Sequence, residues 1–366
     1  MSTLFDAVFQ PPTVGGVTLP NRIVFPAVQT NYATTDGLVT DRLLRFYREI
    51  ARGGTGLTMV GCTAVSPDGA GATNMLRLTT GEHEASCAEL FAAIKATGSL
   101  AAAQLIHFGR QTRSAITKQP LVAASAIPCP VMQERPRELT VAEILRIEDD
   151  FARAAVRAKR AGADLIEIHA AFGYLLGGFL SAYSNKRSDE YGGSLANRVR
   201  FVREVIASVR AAVGGLPLSC RISAVEFVEG GLRLEETRKI APMLVDAGPD
   251  VISVAAGTYA SMEHMVPGKE LGEAVHVPLA AAIKAVVDVP VICAGNIRCL
   301  ALAQQILEVE QADLVAIGRA QVADPQLVNK SKNGQLDQIT ACDHCQHCAY
   351  WLSGEPALSC PQNPRL

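Results

Sequence analysis

The sequence predicts an α/β fold, a (β/α)8 TIM barrel carrying a short C-terminal cysteine-rich extension, and three observations predict it. Short β-rich apolar runs alternate with longer helical patterns. Each run is followed at once by Gly, Pro or polar residues. The rhythm breaks only beyond Lys332, where four cysteines gather. Continuous apolar runs, rather than alternating ones, are the mark of strands buried on both faces in a parallel sheet. Eight such runs are present, at 22–25, 57–60, 101–106, 164–168, 216–221, 251–254, 289–293 and 314–317. One intervening helix is legible in detail. Thr140 and Glu143 form a capping-box pair, Ile144, Ile147, Phe151, Ala155 and Ala158 line one face, and Gly162 stops it before the fourth strand. Long connections at 107–138 and 172–197, and a shorter one at 257–272, read as lids or binding loops. The expected division is a barrel over 1–335 and the extension over 336–366.

Composition bounds the function. With 366 residues, 49% hydrophobic and 19% charged, the chain buries a large core without staples. Length alone would suggest two domains, but a barrel with insertions fills this range as one. A formal charge of −2 and the lack of a long basic run argue against nucleic acid and for a small-molecule ligand. No run approaches a membrane span and the N-terminus lacks a leader pattern, so a soluble, cytoplasmic protein is expected. Of ten cysteines, Cys62, Cys87, Cys129, Cys220, Cys293 and Cys299 are dispersed, and all but Cys62 read as small core residues.

Parallel barrels build active sites at the C-terminal ends of their strands, so residues just after each run are the candidates. Strand one is followed by Pro26, Ala27 and Gln29, strand two by Gly61 and Cys62. Strand three brings Gln104, with His107 and Arg110 beyond it; strand four is followed by His169 and Tyr174, and strand five ends at Arg221. Strands seven and eight end in Ala294-Gly295-Asn296 and Gly318-Arg319, where small residues let backbone N–H groups approach an anion and a guanidinium neutralises it. Barrels of this class place a phosphate there. No G-x-G-x-x-G follows any strand, so a resident dinucleotide is not expected.

In the tail, Cys342, Cys345 and Cys348 stand at two-residue gaps and Cys360 precedes a proline, a spacing that suits four-thiolate ligation of an iron–sulfur cluster. Structural zinc is the alternative, although it more often uses two separated Cys-x-x-Cys knuckles. His344 and His347 lie between the cysteines and read as exposed or bonded to tail backbone.

Several stretches resemble Old Yellow Enzyme motifs: Asn21-Arg22-Ile23-Val24, the run from Gln104 to Arg110, the run from Glu167 to Leu175, and Phe179-Leu180-Ser181 with Asn185-Lys186-Arg187, Asp189, Tyr191-Gly192-Gly193 and Asn197-Arg198. The cysteine tail resembles the branch containing 2,4-dienoyl-CoA reductase and trimethylamine dehydrogenase. That resemblance implies FMN and a [4Fe–4S] cluster, with NADH or NADPH as transient reductant. It places Pro26, Ala27, Gln29 and the Cys62 backbone against the flavin, Gln104 and Arg221 on its pyrimidine edge, and Ala294, Gly295, Gly318 and Arg319 on its phosphate. It further implies an ene-reductase in which Tyr174 protonates the substrate and His169 holds its carbonyl oxygen.

Many relatives carry His or Asn three residues after that histidine, where this chain has Phe172, so His264 on the loop after strand six is the expected compensating donor. The competing implication is an amine dehydrogenase or N-demethylase whose aromatic cage uses Phe172, Tyr32, Tyr183 and Trp351, with electrons leaving through the cluster. A third reading is a non-redox phosphate-binding barrel or an electron-transfer subunit. Larger relatives continue into two nucleotide-binding domains, so an electron-transfer or nucleotide-binding partner is an expectation, with self-association open.

Overall fold

In the computed structural model, which describes residues 4–349 and 357–365, eight parallel strands close on themselves. They are β1 Ile23–Phe25, β2 Leu57–Ala64, β3 Leu100–Ile106, β4 Leu165–Ala170, β5 Leu218–Ser223, β6 Val251–Ala255, β7 Val291–Cys293 and β8 Leu314–Ala316. Neighbours in sequence are neighbours in space, and β8 returns to pair with β1. Around them run α1 Asp41–Arg52, α2 Gly81–Lys95, α3 Val141–Arg160, α4 Leu195–Val213, α5 Leu234–Val245, α6 Val277–Lys284, α7 Leu300–Glu308 and α8 Leu327–Lys332.

Two apolar layers hold this up. One lies between the strands and the helix ring, with Phe151, Val202 and Ile240 among its members. The other fills the barrel interior with Val24, Leu57, Met59, Leu165, Val251, Ile292 and Leu314. An antiparallel hairpin, Thr13–Val14 with Val17–Thr18, turns through Gly15 at φ +54° and sends Val14 and Leu19 into that interior cluster. It plugs the end of the barrel at which the strands begin.

The expected helix 140–161 forms with its capping box intact, and Gly162 stops it at φ +93°. Strand limits differ from expectation where proline intervenes. Pro217 and Pro290 have no N–H to give the ladder, so β5 and β7 begin after them, although both prolines still accept a bond through their carbonyls. Gly61 does not end β2; the strand continues to Ala64 with its register against β3 shifted between Val60 and Thr63. That irregularity re-aims Cys62, as bulges beside active sites do. Cys299 is exposed at the start of α7 rather than filling the core.

The excursion at 172–197, expected as a lid or binding loop, is pinned by buried polar side chains. Asn185 donates to the carbonyls of Phe179 and Tyr191, and Arg187 donates to those of Ala124 and Leu139 while pairing with Asp189. Its polar motif residues therefore brace the rim. Among the described residues no helix is long and apolar enough to cross a membrane.

Candidate active site

A deep cavity opens at the C-terminal ends of the strands, and all ten residues expected to hold a cofactor line it: Pro26, Ala27, Gln29, Cys62, Gln104, Arg221, Ala294, Gly295, Gly318 and Arg319. His169 and Tyr174 line it too. Register explains part of the convergence. Gln104 on β3, Glu167 on β4 and Ser219 on β5 occupy one cross-strand row. In that row the Gln104 amide donates to Glu167 Oε1 at 2.7 Å and the Ser219 hydroxyl donates to Glu167 Oε2 at 2.8 Å. The carboxylate thereby fixes which way the Gln104 amide faces, and Gln104 Oε1 is left buried with no protein partner. Arg221 Nε is in the same position two residues along β5.

The opposite end of the cavity is built for an anion. Gly295, at φ +105°, and Gly318 leave the backbone open, and Arg319 donates from Nη2 to Pro267 O at 2.6 Å and to Asn296 Oδ1 at 3.3 Å. Its Nη1 is buried without a partner. Among the described residues the only charged side chains on the cavity wall are Arg221, Arg298 and Arg319; no carboxylate lines it. Buried polar atoms without partners are costly, so their concentration here marks groups waiting for a polar ligand.

His169 is buried, and Ala171 N–H donates to its Nδ1 at 3.2 Å. Nδ1 is thus the acceptor and the ring proton sits on Nε2. Burial, then the charge of Arg221, holds the imidazole well below its usual range, so it is neutral and its Nε2–H is a donor. Tyr174 packs edge-on against His169 with ring centroids 4.9 Å apart. Burial, then neighbouring Tyr259, pushes its phenol well above the usual value, so Tyr174 holds its proton at neutral pH. Burial likewise raises the Cys62 thiol to about 12.

Three expectations are corrected. His264 sits on the short helix Met262–Met265 with its ring stacked on Phe227 at 3.7 Å, and it is not part of the cavity wall. A histidine from the same connection that does line the cavity is His276, at the start of α6, buried with Nε2 unpartnered. Burial, then His264 and Arg221, lowers it to about 4. His344 is not an exposed linker residue; it too lines the cavity, with both ring nitrogens buried and unpartnered. The aromatic cage is not assembled among the described residues. Tyr32 is buried with its hydroxyl bonded to Leu358 O, Tyr183 lies beside Arg110, and Trp351 falls outside the described residues. Only Phe172 reaches the cavity, and the Arg221 guanidinium already lies 5.3 Å from its ring centre.

Sequence reasoning missed Tyr259 and His276. Neither stands in a distinctive motif, and only the fold brings them to Tyr174 and Gly295.

Cys342 and Cys348 form part of the same cavity wall, with Cys342, Cys348 and Cys360 half-buried and Cys345 exposed. Among the described residues no group of three or more His, Cys, Asp or Glu is arranged to hold a metal ion. Burial, then Cys342, Cys360 and Cys345, outweighs the pull of Arg319 and raises Cys348 to about 11.

A family model described as NADH:flavin oxidoreductase / NADH oxidase matches residues 7–338. A NADH oxidase of Thermoanaerobacter brockii is 43% identical over 347 residues, 94% of this chain and 53% of that protein. Among solved structures, a 2-naphthoyl-CoA reductase in complex with 2-naphthoyl-CoA superposes with TM-score 0.95 at 28% identity, covering 99% of this chain and 57% of that one. Histamine dehydrogenase from Rhizobium sp. 4-9 superposes with TM-score 0.88 at 27% identity, covering 98% and 52%. The chain spans about half the length of these three relatives.

Proposed function

The chain belongs to the NADH:flavin oxidoreductase / NADH oxidase family, and from that premise we propose that it is an FMN-dependent, iron–sulfur-containing reductase that takes reducing equivalents from NADH or NADPH and delivers them to a C=C bond conjugated to a carbonyl or thioester. The observation that carries the reading is one cavity wall that combines three arginines, a neutral donor histidine and a protonated phenol, with no carboxylate among the described residues.

The residues fit FMN. Gln104 Oε1 is an orphan acceptor for the pyrimidine N–H, Arg221 is a cation for its electron-rich edge, and Gly295, Gly318 and Arg319 form a cradle for its phosphate. When bound, FMN supplies hydride transfer. The chain supplies the rest. His169 Nε2–H holds the substrate's carbonyl oxygen, and Tyr174 keeps the proton destined for the α-carbon. Cys62, Phe172 and Met265 line the same cavity and give it an apolar face.

The four thiols of Cys342, Cys345, Cys348 and Cys360 suit an iron–sulfur cluster as a donor set, and a cluster held by them would lie beside the cavity, whose wall includes Cys342 and Cys348. An amine substrate is disfavoured. A cationic alkylammonium would find no carboxylate on the cavity wall among the described residues, and the Phe172 face is taken by Arg221. A cytoplasmic, reducing compartment agrees with ten cysteines of which none is paired among the described residues.

The test is anaerobic stopped flow on the holoprotein. NADH or NADPH bleaches the flavin, cyclohexenone restores it, and Tyr174→Phe slows the second step by about 10²- to 10⁴-fold while changing the first by less than about twofold. Equal loss in both steps, or bleaching by a methylated amine and not by nicotinamide, would refute the reading. Cys345→Ala should lose iron and sulfide by direct analysis.

A further inference from the structure

Two phenols meet at the edge of the cavity, and only one of them lines it. Tyr174 follows β4 and Tyr259 follows β6, 85 residues later, and their hydroxyl oxygens lie 3.2 Å apart. Separate networks lock each in place. Tyr174 heads the short helix Leu175–Leu180, whose first N–H donates to His107 O at 3.0 Å, and the Phe108 ring packs on it at 4.5 Å. Tyr259 begins a turn capped from both sides: Ala260 N–H donates to Thr258 Oγ1 at 3.2 Å and Thr258 N–H donates to Ser261 Oγ at 3.0 Å. Ser261 in turn donates to Glu226 O at 2.6 Å. Both rings are buried in one apolar cluster with Met75, Phe108 and Cys129.

Between two hydroxyls, one O–H lies along the line joining them and the other must point elsewhere. Tyr174 lines the cavity and Tyr259 does not. We propose that Tyr259 is a positioning residue for the proton donor: its O–H donates to Tyr174 Oη, which turns the Tyr174 O–H toward the substrate and meets the charge left behind when that proton goes.

This rests on the reading of Tyr174 as the acid. In the step itself the Tyr174 O–H bond breaks, a C–H bond forms at the substrate α-carbon, and the electron pair stays on Tyr174 Oη. The hydride added at the neighbouring carbon comes from the reduced flavin. The proton lost by Tyr174 is replaced from solvent water. Hydrogen bonds to an ionised acceptor are about twice as strong as neutral ones, so Tyr259 stabilises the state after transfer more than the state before it. Burial raises both phenols, so the pair is fully protonated before the reaction.

The experiment is Tyr259→Phe, which keeps the ring in the apolar cluster, made beside Tyr174→Phe and the double variant. Reoxidation of reduced holoprotein by cyclohexenone should slow on the order of tenfold, and its proton inventory in mixed H2O and D2O should change from curved to linear. The double variant should be no slower than Tyr174→Phe alone. With 13Cζ-labelled tyrosine, Tyr259→Phe should move the Tyr174 resonance in protein that is not turning over. 3-Fluorotyrosine at position 259, a stronger donor of the same shape, should keep the wild-type rate.

An unmoved Tyr174 resonance, an unchanged proton inventory or additive losses in the double variant would overturn the proposal. If Tyr174→Phe itself reoxidises at the wild-type rate, the acid assignment fails. If Tyr174→Phe is slow and Tyr259→Phe is not, only the role of Tyr259 fails.

Discussion

Replacing Glu167 should loosen the cofactor's grip without touching any residue that faces it. Glu167 is fully buried in the barrel wall and receives two hydrogen bonds, from Gln104 at 2.7 Å and Ser219 at 2.8 Å. Glu167→Leu strands both donors in a dry site, at about 1–3 kcal/mol each, so a loss of about 2–6 kcal/mol in unfolding free energy follows. It also frees the Gln104 amide to rotate, so Oε1 no longer faces the cavity by default. Losing one such acceptor, worth about 1 kcal/mol, weakens FMN binding about fivefold.

Glu167→Gln separates the two effects. Its amide oxygen can still accept from Gln104, and the Ser219 hydroxyl can rotate to accept from its amide N–H. Stability should fall by only about 1–2 kcal/mol and FMN affinity should hold. Ser219→Ala, which leaves the Gln104 bond in place, should also retain affinity. The assays are urea unfolding and quenching of FMN fluorescence on titration into stripped protein. If Glu167→Leu binds FMN as tightly as wild type, the cross-strand row does not orient Gln104 and the reasoning is wrong.

Three further outcomes are expected. Gly295→Ala, whose new Cβ would meet the His276 ring at 2.7 Å from a backbone at φ +105°, should cost about 1–3 kcal/mol in thermal or urea unfolding and weaken FMN binding. Thr140→Ala should cost about 1 kcal/mol by removing the cap on α3, with FMN affinity unchanged in the same titration. His276 is held neutral to about pH 4 in the fold but takes a proton near 6.5 when unfolded, so its contribution is present above pH 6.5 and is lost as pH falls toward 4. His276→Gln should therefore lose about 2 kcal/mol less than wild type between pH 7 and pH 4.5, measured by urea unfolding at both.

The barrel was legible because strands buried on both faces leave unbroken apolar runs, and so was the place of Gly295, Gly318 and Arg319 on the cavity wall, because small residues and an arginine close the last two strands. Boundaries slipped where backbone chemistry overrides hydrophobicity: Pro217 and Pro290 are apolar yet cannot join the ladder, and Gly61 looks like a stop although β2 runs through it. The donor role expected of His264 could not be checked by spacing, because the sequence does not show that its ring stacks on Phe227 and lies off the cavity wall. Tyr259 and His276 could not be found by spacing, because a tyrosine after a strand and a histidine before a helix are ordinary until folding sets one 3.2 Å from Tyr174 and the other against Gly295. The polar run around Asn185 and Arg187 has the opposite lesson. It lies in a connection read as a lid or binding loop, and its hydrogen bonds go to backbone carbonyls and to Asp189.

The hairpin that carries Val14 and Leu19 packs them into the interior cluster where the strands begin, and among the described residues the candidate cavity opens at the other end. A nicotinamide donor and an unsaturated acceptor would then share one entrance and one landing place, so each must depart before the other can arrive. Initial-rate plots against either reactant should give parallel lines, with each inhibiting when in excess.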